Sequence, residues 1–195
     1  MDYKEEFLEI YEAFIERAGA EKLLDYLKTT DFFTAPASTK FHLDREGGLV
    51  EHSVNVYKRL TRLVENEYGG NWEDVYSHET VAIVGLLHDV CKANIYKTDY
   101  RNVKNADGAW EKKPYYVVED DLPYGHGEKS VYIINGFLRL TREEAMAINW
   151  HMGGFDDRAK GGSFSIAGAY AAYPLAVLLH MSDMSATYLD EKTKK

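Results

Sequence analysis

The chain has a single cysteine, Cys91, among its 195 residues. An intrachain disulfide is therefore excluded, and a reducing compartment fits. No apolar run approaches the ~20 residues that a membrane-spanning helix needs, so no membrane partner is expected. Basic residues are few: 23 Lys and Arg stand against 32 Asp and Glu, for a formal net charge of −9. A surface that coats DNA or RNA needs clustered Lys and Arg, so no long nucleic acid is expected as a partner. A small phosphorylated substrate stays compatible, because bound cations add local positive charge. Only four prolines are present and no Pro/Gly-rich linker divides the chain. Its length suits one domain over residues 1–195. The opening MDYKEEFLEIYEAF is acidic and amphipathic. It lacks the basic start and apolar core of a signal peptide, so the cytoplasm is the expected location.

What is present is mostly helical periodicity. Phe7, Leu8, Tyr11, Phe14 and Ile15 predict an amphipathic helix over Tyr3–Arg17, and a second short helix covers Glu21–Thr29. Thr30–Gly48 reads as a loop, and Leu49–Tyr68 as a helix. Glu79–Cys91 is apolar on all sides and predicts a buried helix. The period then changes. Ile95–Val103 and Trp110–Val118, rich in Tyr, Val and Trp, flank Asp107-Gly108 and predict a β-hairpin. Helices are expected again over Glu128–Leu140, over Arg142–His151 with Thr141 and Glu144 as a capping box, and over Ser165–Tyr188 with a break at Pro174.

The chemistry lies in a spaced set of histidines and aspartates. His88 and Asp89 are adjacent at the end of the apolar run Val81–Lys92, near a helix end where both can reach one centre. His52 starts its helix after Gly47-Gly48. His126 sits between Gly125 and Gly127, where backbone crowding is low. His151 ends a helix before Gly153-Gly154, and Asp183 lies in the apolar stretch Ala176–Met184, where a buried carboxylate is costly unless paired or metal-bound. Neutral nitrogen and anionic oxygen donors suit Mn, Fe, Zn, Co or Ni as divalent ions.

Five segments carry a family resemblance: Gly47-Gly48-Leu49-Val50-Glu51-His52-Ser53, Leu86-Leu87-His88-Asp89-Val90-Cys91-Lys92, Gly125-His126, Trp150-His151-Met152-Gly153-Gly154 and Leu178-Leu179-His180-Met181-Ser182-Asp183. Together they resemble the HD-domain metal-dependent phosphohydrolase superfamily, closest in flavour to the HD domain of bacterial 3′–5′ exoribonucleases. One departure is Cys91, where a glycine is usual. Another is that no nucleic-acid-binding OB module accompanies the motifs. The resemblance implies an all-α HD-domain helical bundle, here with a small inserted hairpin at about 95–118. It implies one or two divalent transition metals. His52, His88, Asp89 and Asp183 would hold the first, and Asp89 would bridge to a second held by His126 and His151.

The expected function is that of a hydrolase acting on a nucleotide or similar small phosphorylated substrate through metal-activated water. Asp89 and Lys92 are the expected catalytic residues, with Lys92 also offsetting phosphate charge. Lys129, in the first turn after His126, and Arg101, among the hairpin tyrosines, are candidate substrate contacts. Tyr96, Tyr100, Tyr115 and Tyr116 are expected to pack on the strands, with a stacking wall for a base as the alternative. His180 reads evenly as a support for the site or as core. Cys91 reads as a small buried apolar group, and His42 and His78 as surface residues. Two other functions fit the same residues: a di-iron oxygenase-like protein, and a metal-stabilised module that binds a nucleotide without turnover.

Overall fold

The computed structural model of the chain describes residues 2–191. Met1 and residues 192–195, which the single-domain expectation includes, lie outside the described residues. The chain is mostly helical, with one two-stranded antiparallel sheet.

Helix α1 (Tyr3–Phe14) is opened by Asp2 and Glu5, which cap each other's backbone amides. Its Phe7 and Tyr11, four residues apart, face inward and are buried. Helix α2 (Ala20–Thr29) buries Leu23, Leu24 and Leu27. The longest helix, α3 (Gly48–Tyr68), is central and packs on α1, α4 (His78–Leu87) and α9 (Pro174–Ser185). Residues Val81–Leu87 of α4 are all buried, as an all-round apolar helix must be. At Gly85 the backbones of α3 and α4 meet so closely that a Cβ there would lie 2.8 Å from the Tyr57 Cα. Helix α5 (His126–Asn135) crosses α6 (Arg142–Trp150) in the same way at Gly127, where a Cβ would lie 2.4 Å from the Asn149 carbonyl oxygen. Small residues at both crossings bring the histidine-bearing helix ends together.

An ionic knot centred on the buried Glu144 ties the turn after α1 to α4 and α6. Arg17 donates to both oxygens of Glu144 at 3.0 and 2.7 Å and to Glu79 at 3.1 Å. The Glu144 carboxylate also accepts from the Thr141 amide and the Thr80 hydroxyl. The expected Thr141/Glu144 capping box is thus present, and it is part of this tertiary contact.

The hairpin pairs β1 (Tyr96–Lys104) with β2 (Trp110–Val118), from Tyr96 opposite Val118 to Lys104 opposite Trp110. Its outer part is exposed; Tyr96 at its base packs against the core.

Three expected helices change their bounds, the first of them, expected over Tyr3–Arg17, ending at Phe14. The helix predicted over Glu79–Cys91 ends at Leu87. Asp89 leaves helical backbone (φ −107°, ψ 18°), and the amide of Cys91 donates to the Ser130 hydroxyl of α5. The helix predicted over Glu128–Leu140 runs from His126 to Asn135. Glu128 reaches back to the Gly125 amide and starts it early, and the Asn135 side chain takes the Leu140 amide beyond its end. The Ser165–Tyr188 stretch breaks at Pro174 as expected, into α8 (Ser165–Ala172) and α9, bent by 106°. The loop after His151 carries a 3-10 turn, Gly153–Phe155, and a short helix, α7 (Asp157–Lys160), which Asp156 caps. Among the described residues no single helix is long and apolar enough to cross a membrane.

Candidate metal centre

The ends of α3, α4, α5, α6 and α9 converge on Asp89. Its two carboxylate oxygens face different partners. Oδ2 lies 3.5 Å from His52 Nε2, 3.6 Å from His88 Nε2 and 2.6 Å from the Lys92 ammonium. Oδ1 lies 2.7 Å from His126 Nε2 and 3.4 Å from His151 Nε2. Asp183 completes the first side, with Oδ1 3.3 Å from His52 Nε2. The six residues expected as ligands, His52, His88, Asp89, His126, His151 and Asp183, are therefore brought to one cluster. Donor atoms of His52, His88 and Asp183 lie within 4.8 Å of one another, as do those of His88, Asp89 and His151.

The far nitrogens of these rings are fixed by backbone or carboxylate. His88 Nδ1 donates to the Gly85 carbonyl at 2.9 Å, and His151 Nδ1 to the Ile148 carbonyl at 2.6 Å. A carbonyl only accepts, so in the neutral tautomer that donates from Nδ1 each ring turns a bare Nε2 lone pair toward Asp89. His52 Nδ1 donates to Glu191 at 3.0 Å, and Asn55 holds the same carboxylate at 3.0 Å. Such outer partners set the tautomer of metal-binding histidines and raise their basicity. His180 supports from behind, donating from Nδ1 to the His151 carbonyl at 2.7 Å.

Charge is distributed sharply. Burial holds the His88 pKa down at about 3. Burial also opposes charge on His52, but Glu191 and Asp183 overcome it and lift its pKa to about 10. For His126, Cys91 and Asp89 overcome burial and lift it likewise to about 10. Asp89 is held well below the ordinary carboxylate range despite burial, by Lys92 and the histidines, and Asp183 is lowered by His52. The protons on His52 and His126 carry positive charge that divalent cations can replace.

No protein-family model, no curated protein and no solved structure matches this chain. The site is judged on its own atoms. The donor set is buried nitrogen and carboxylate oxygen, and His151 Nε2 is buried without a hydrogen-bond partner. An orphaned lone pair beside an anionic oxygen is costly in a dry interior and is relieved by a cation between them. The residues fit a metal ion.

A cavity of about 720 Å³ opens onto the cluster, lined by His52, Asp89, Lys92 and Asp183 at depth and by Lys40 and Lys160 further out. Lys92 pairs with Asp89 and lines this cavity. Two expected substrate contacts do not line it. Lys129 is buried in an ion pair with Asp120 and lines a separate hollow of about 690 Å³. Arg101 lies over the Tyr115 ring on the exposed hairpin. Proximity in sequence to His126 or to tyrosines does not set the direction of a long side chain.

Three residues near the cluster were read otherwise from the sequence. His42, expected at the surface, packs its ring 5.0 Å from that of His52; neither of its nitrogens has a hydrogen-bond partner, and Nε2 lies 3.7 Å from Glu191. The Ser38 hydroxyl holds its loop by accepting from two amides and donating to the His42 carbonyl. Glu191 was not singled out. Cys91, taken for apolar filler, has its Sγ 3.6 Å from both ring nitrogens of His126. His78 is partly exposed, as expected, pairing with Glu73.

Proposed function

We propose that the chain is an HD-type metal-dependent phosphohydrolase acting on a nucleotide or similar small phosphorylated substrate. The observation that carries this reading is the division of Asp89: each oxygen faces its own set of histidine nitrogens, with a lysine beside it and a cavity in front. In this reading His52, His88, Asp89 and Asp183 hold one divalent ion, and Asp89, His126 and His151 hold a second. Such ions would offset charge on phosphate oxygens and lower the pKa of a nearby water.

The chain's own residues supply the rest. Asp89 raises the Lys92 pKa above its usual value against the effect of burial, so the ammonium stays charged at the cavity floor and can neutralise a phosphoryl oxygen. Lys40 and Lys160 add positive charge nearer the mouth. Exposed rings of Phe41, Phe155 and Tyr188 also line the cavity and offer faces to a base. The volume lies within the about 300–1,000 Å³ typical of small-molecule sites.

The test is multiple turnover of a panel of nucleotides and cyclic dinucleotides by protein reloaded with manganese. Turnover that Asp89→Ala abolishes, with an unchanged far-ultraviolet circular dichroism spectrum, supports the reading. Turnover retained in that variant, or no hydrolysis of any phosphorylated probe by ion-loaded protein, overturns it.

A further inference from the structure

Cys91 sits in the short turn Val90–Lys92 that follows Asp89, and its amide is tied to Ser130 on the helix that carries His126. Its neighbours Val90 and Ala93 join the apolar core, whereas the Cys91 side chain is turned to the histidines. The sulfur is buried and 3.6 Å from both nitrogens of the His126 ring. Donor atoms of Asp89, Cys91 and His126 all lie within 4.8 Å of one another.

A second observation points into the same spot. His151 Nε2, fully buried and unpartnered, faces the Asp89 oxygen that also touches His126. Its ring centroid is 5.3 Å from that of His126. One sulfur, one imidazole nitrogen and one carboxylate oxygen thus form a single group, and His151 Nε2 adjoins it across the shared Asp89 Oδ1. The other side of Asp89, with His52, His88 and Asp183, offers nitrogen and oxygen only.

We propose that Cys91 is a metal ligand, and that the Asp89/Cys91/His126 position, with His151 adjoining it across Asp89 Oδ1, is a zinc site. Thiolate and imidazole together select zinc over magnesium or manganese, which prefer oxygen. On binding, the sulfur–metal bond forms as the thiol proton leaves to solvent, so uptake releases a proton. The two positions then differ in kind: a softer one at Cys91 and a harder, cavity-facing one at His52 and Asp183. This inference rests on the metal reading above, but not on hydrolysis.

The test uses the full chain stripped of ions and reloaded with cobalt(II), whose thiolate complexes show an intense near-ultraviolet charge-transfer band. Wild type is expected to show the band, and Cys91→Ser to lose it while retaining cobalt at the His52 side. Zinc affinity in Cys91→Ser should fall by about 10- to 100-fold, at least as much as when an outer partner is lost. X-ray absorption of zinc-loaded wild type, which needs no variant, should show a sulfur neighbour. Cobalt bound without the band, a band that persists in Cys91→Ser, or zinc surrounded by light atoms alone would each overturn the assignment while leaving the hydrolase reading intact. Protein that takes up no ion at all would overturn both.

Discussion

Asp89 Oδ1 and His151 Nε2 face each other at 3.4 Å, both inside the protein, with no hydrogen bond between them. A neutral His151 ring that gives its Nδ1 proton to the Ile148 carbonyl sets two electron-rich atoms in opposition. A cation between them turns that repulsion into attraction. Asp89→Ala is therefore expected to lose every bound ion, because both sides share this carboxylate. His151→Ala is expected to lose one and keep the other. Elemental mass spectrometry on purified protein gives the count, and equal loss in both variants would contradict two separable positions.

Glu191 acts on the metal through His52. Glu191→Gln leaves the His52 Nδ1 proton a neutral acceptor in place of an anionic one. The expected result is a fall of about 10- to 100-fold in metal affinity, with the fold kept. Competition against a chelator reads the affinity; an unchanged value would show that Glu191 is merely packed there.

Gly127 sets the spacing of α5 and α6. Gly127→Ala puts a methyl group 2.4 Å from the Asn149 carbonyl oxygen, so the helices must separate. Overpacking of this kind costs about 1–3 kcal/mol, and here it also draws His126 away from His151. Thermal unfolding should show the loss of stability, and metal analysis the loss of one ion. A stable variant with full metal content would refute the close approach.

The Arg17–Glu144 pair makes stability depend on acid. Burial works against its charge, but Arg17, the Thr141 amide and Thr80 hold the Glu144 carboxyl below its usual 4.5. The sign follows from proton linkage: a lowered folded pKa adds stability above the unfolded value, and that stability is lost as pH falls through the folded one. Glu144 is fully buried, but Arg17 is partly exposed and keeps Glu79, so Glu144→Ala should be destabilised by about 1–3 kcal/mol at pH 7. The gap to wild type should narrow steadily from the usual carboxylate range downward. Urea unfolding at stepped pH measures it, and a gap independent of pH would remove Glu144 as the cause.

The six histidine and aspartate donors were legible because each carries a local mark: a helix end, a flanking glycine or an apolar surround. The hairpin was legible in its β-branched and aromatic runs around Asp107-Gly108. What escaped depends on long-range placement. Glu191 stands in an acidic and basic run that reads as solvated, yet it meets His52 from 139 residues away. His42 lies in a loop whose course is set by Ser38 contacts that periodicity cannot reveal. Helix ends were missed where side chains take over backbone partners, as Ser130 does for Cys91 and Asn135 for Leu140. Lys129 and Arg101 were misplaced because a long cation follows whatever anion or ring the fold puts nearby.

The span between His52 and Glu191 also orders events during synthesis. Each loop must close before its contacts are rewarded, and the latest closure is the one that brings the final helix onto α3. A ribosome-bound chain that has made α3 to α6 already holds His52, His88, Asp89, His126 and His151, but neither Asp183 nor Glu191. On the proposed ligand assignment, the Cys91 side has its ligands synthesised before the His52 side does.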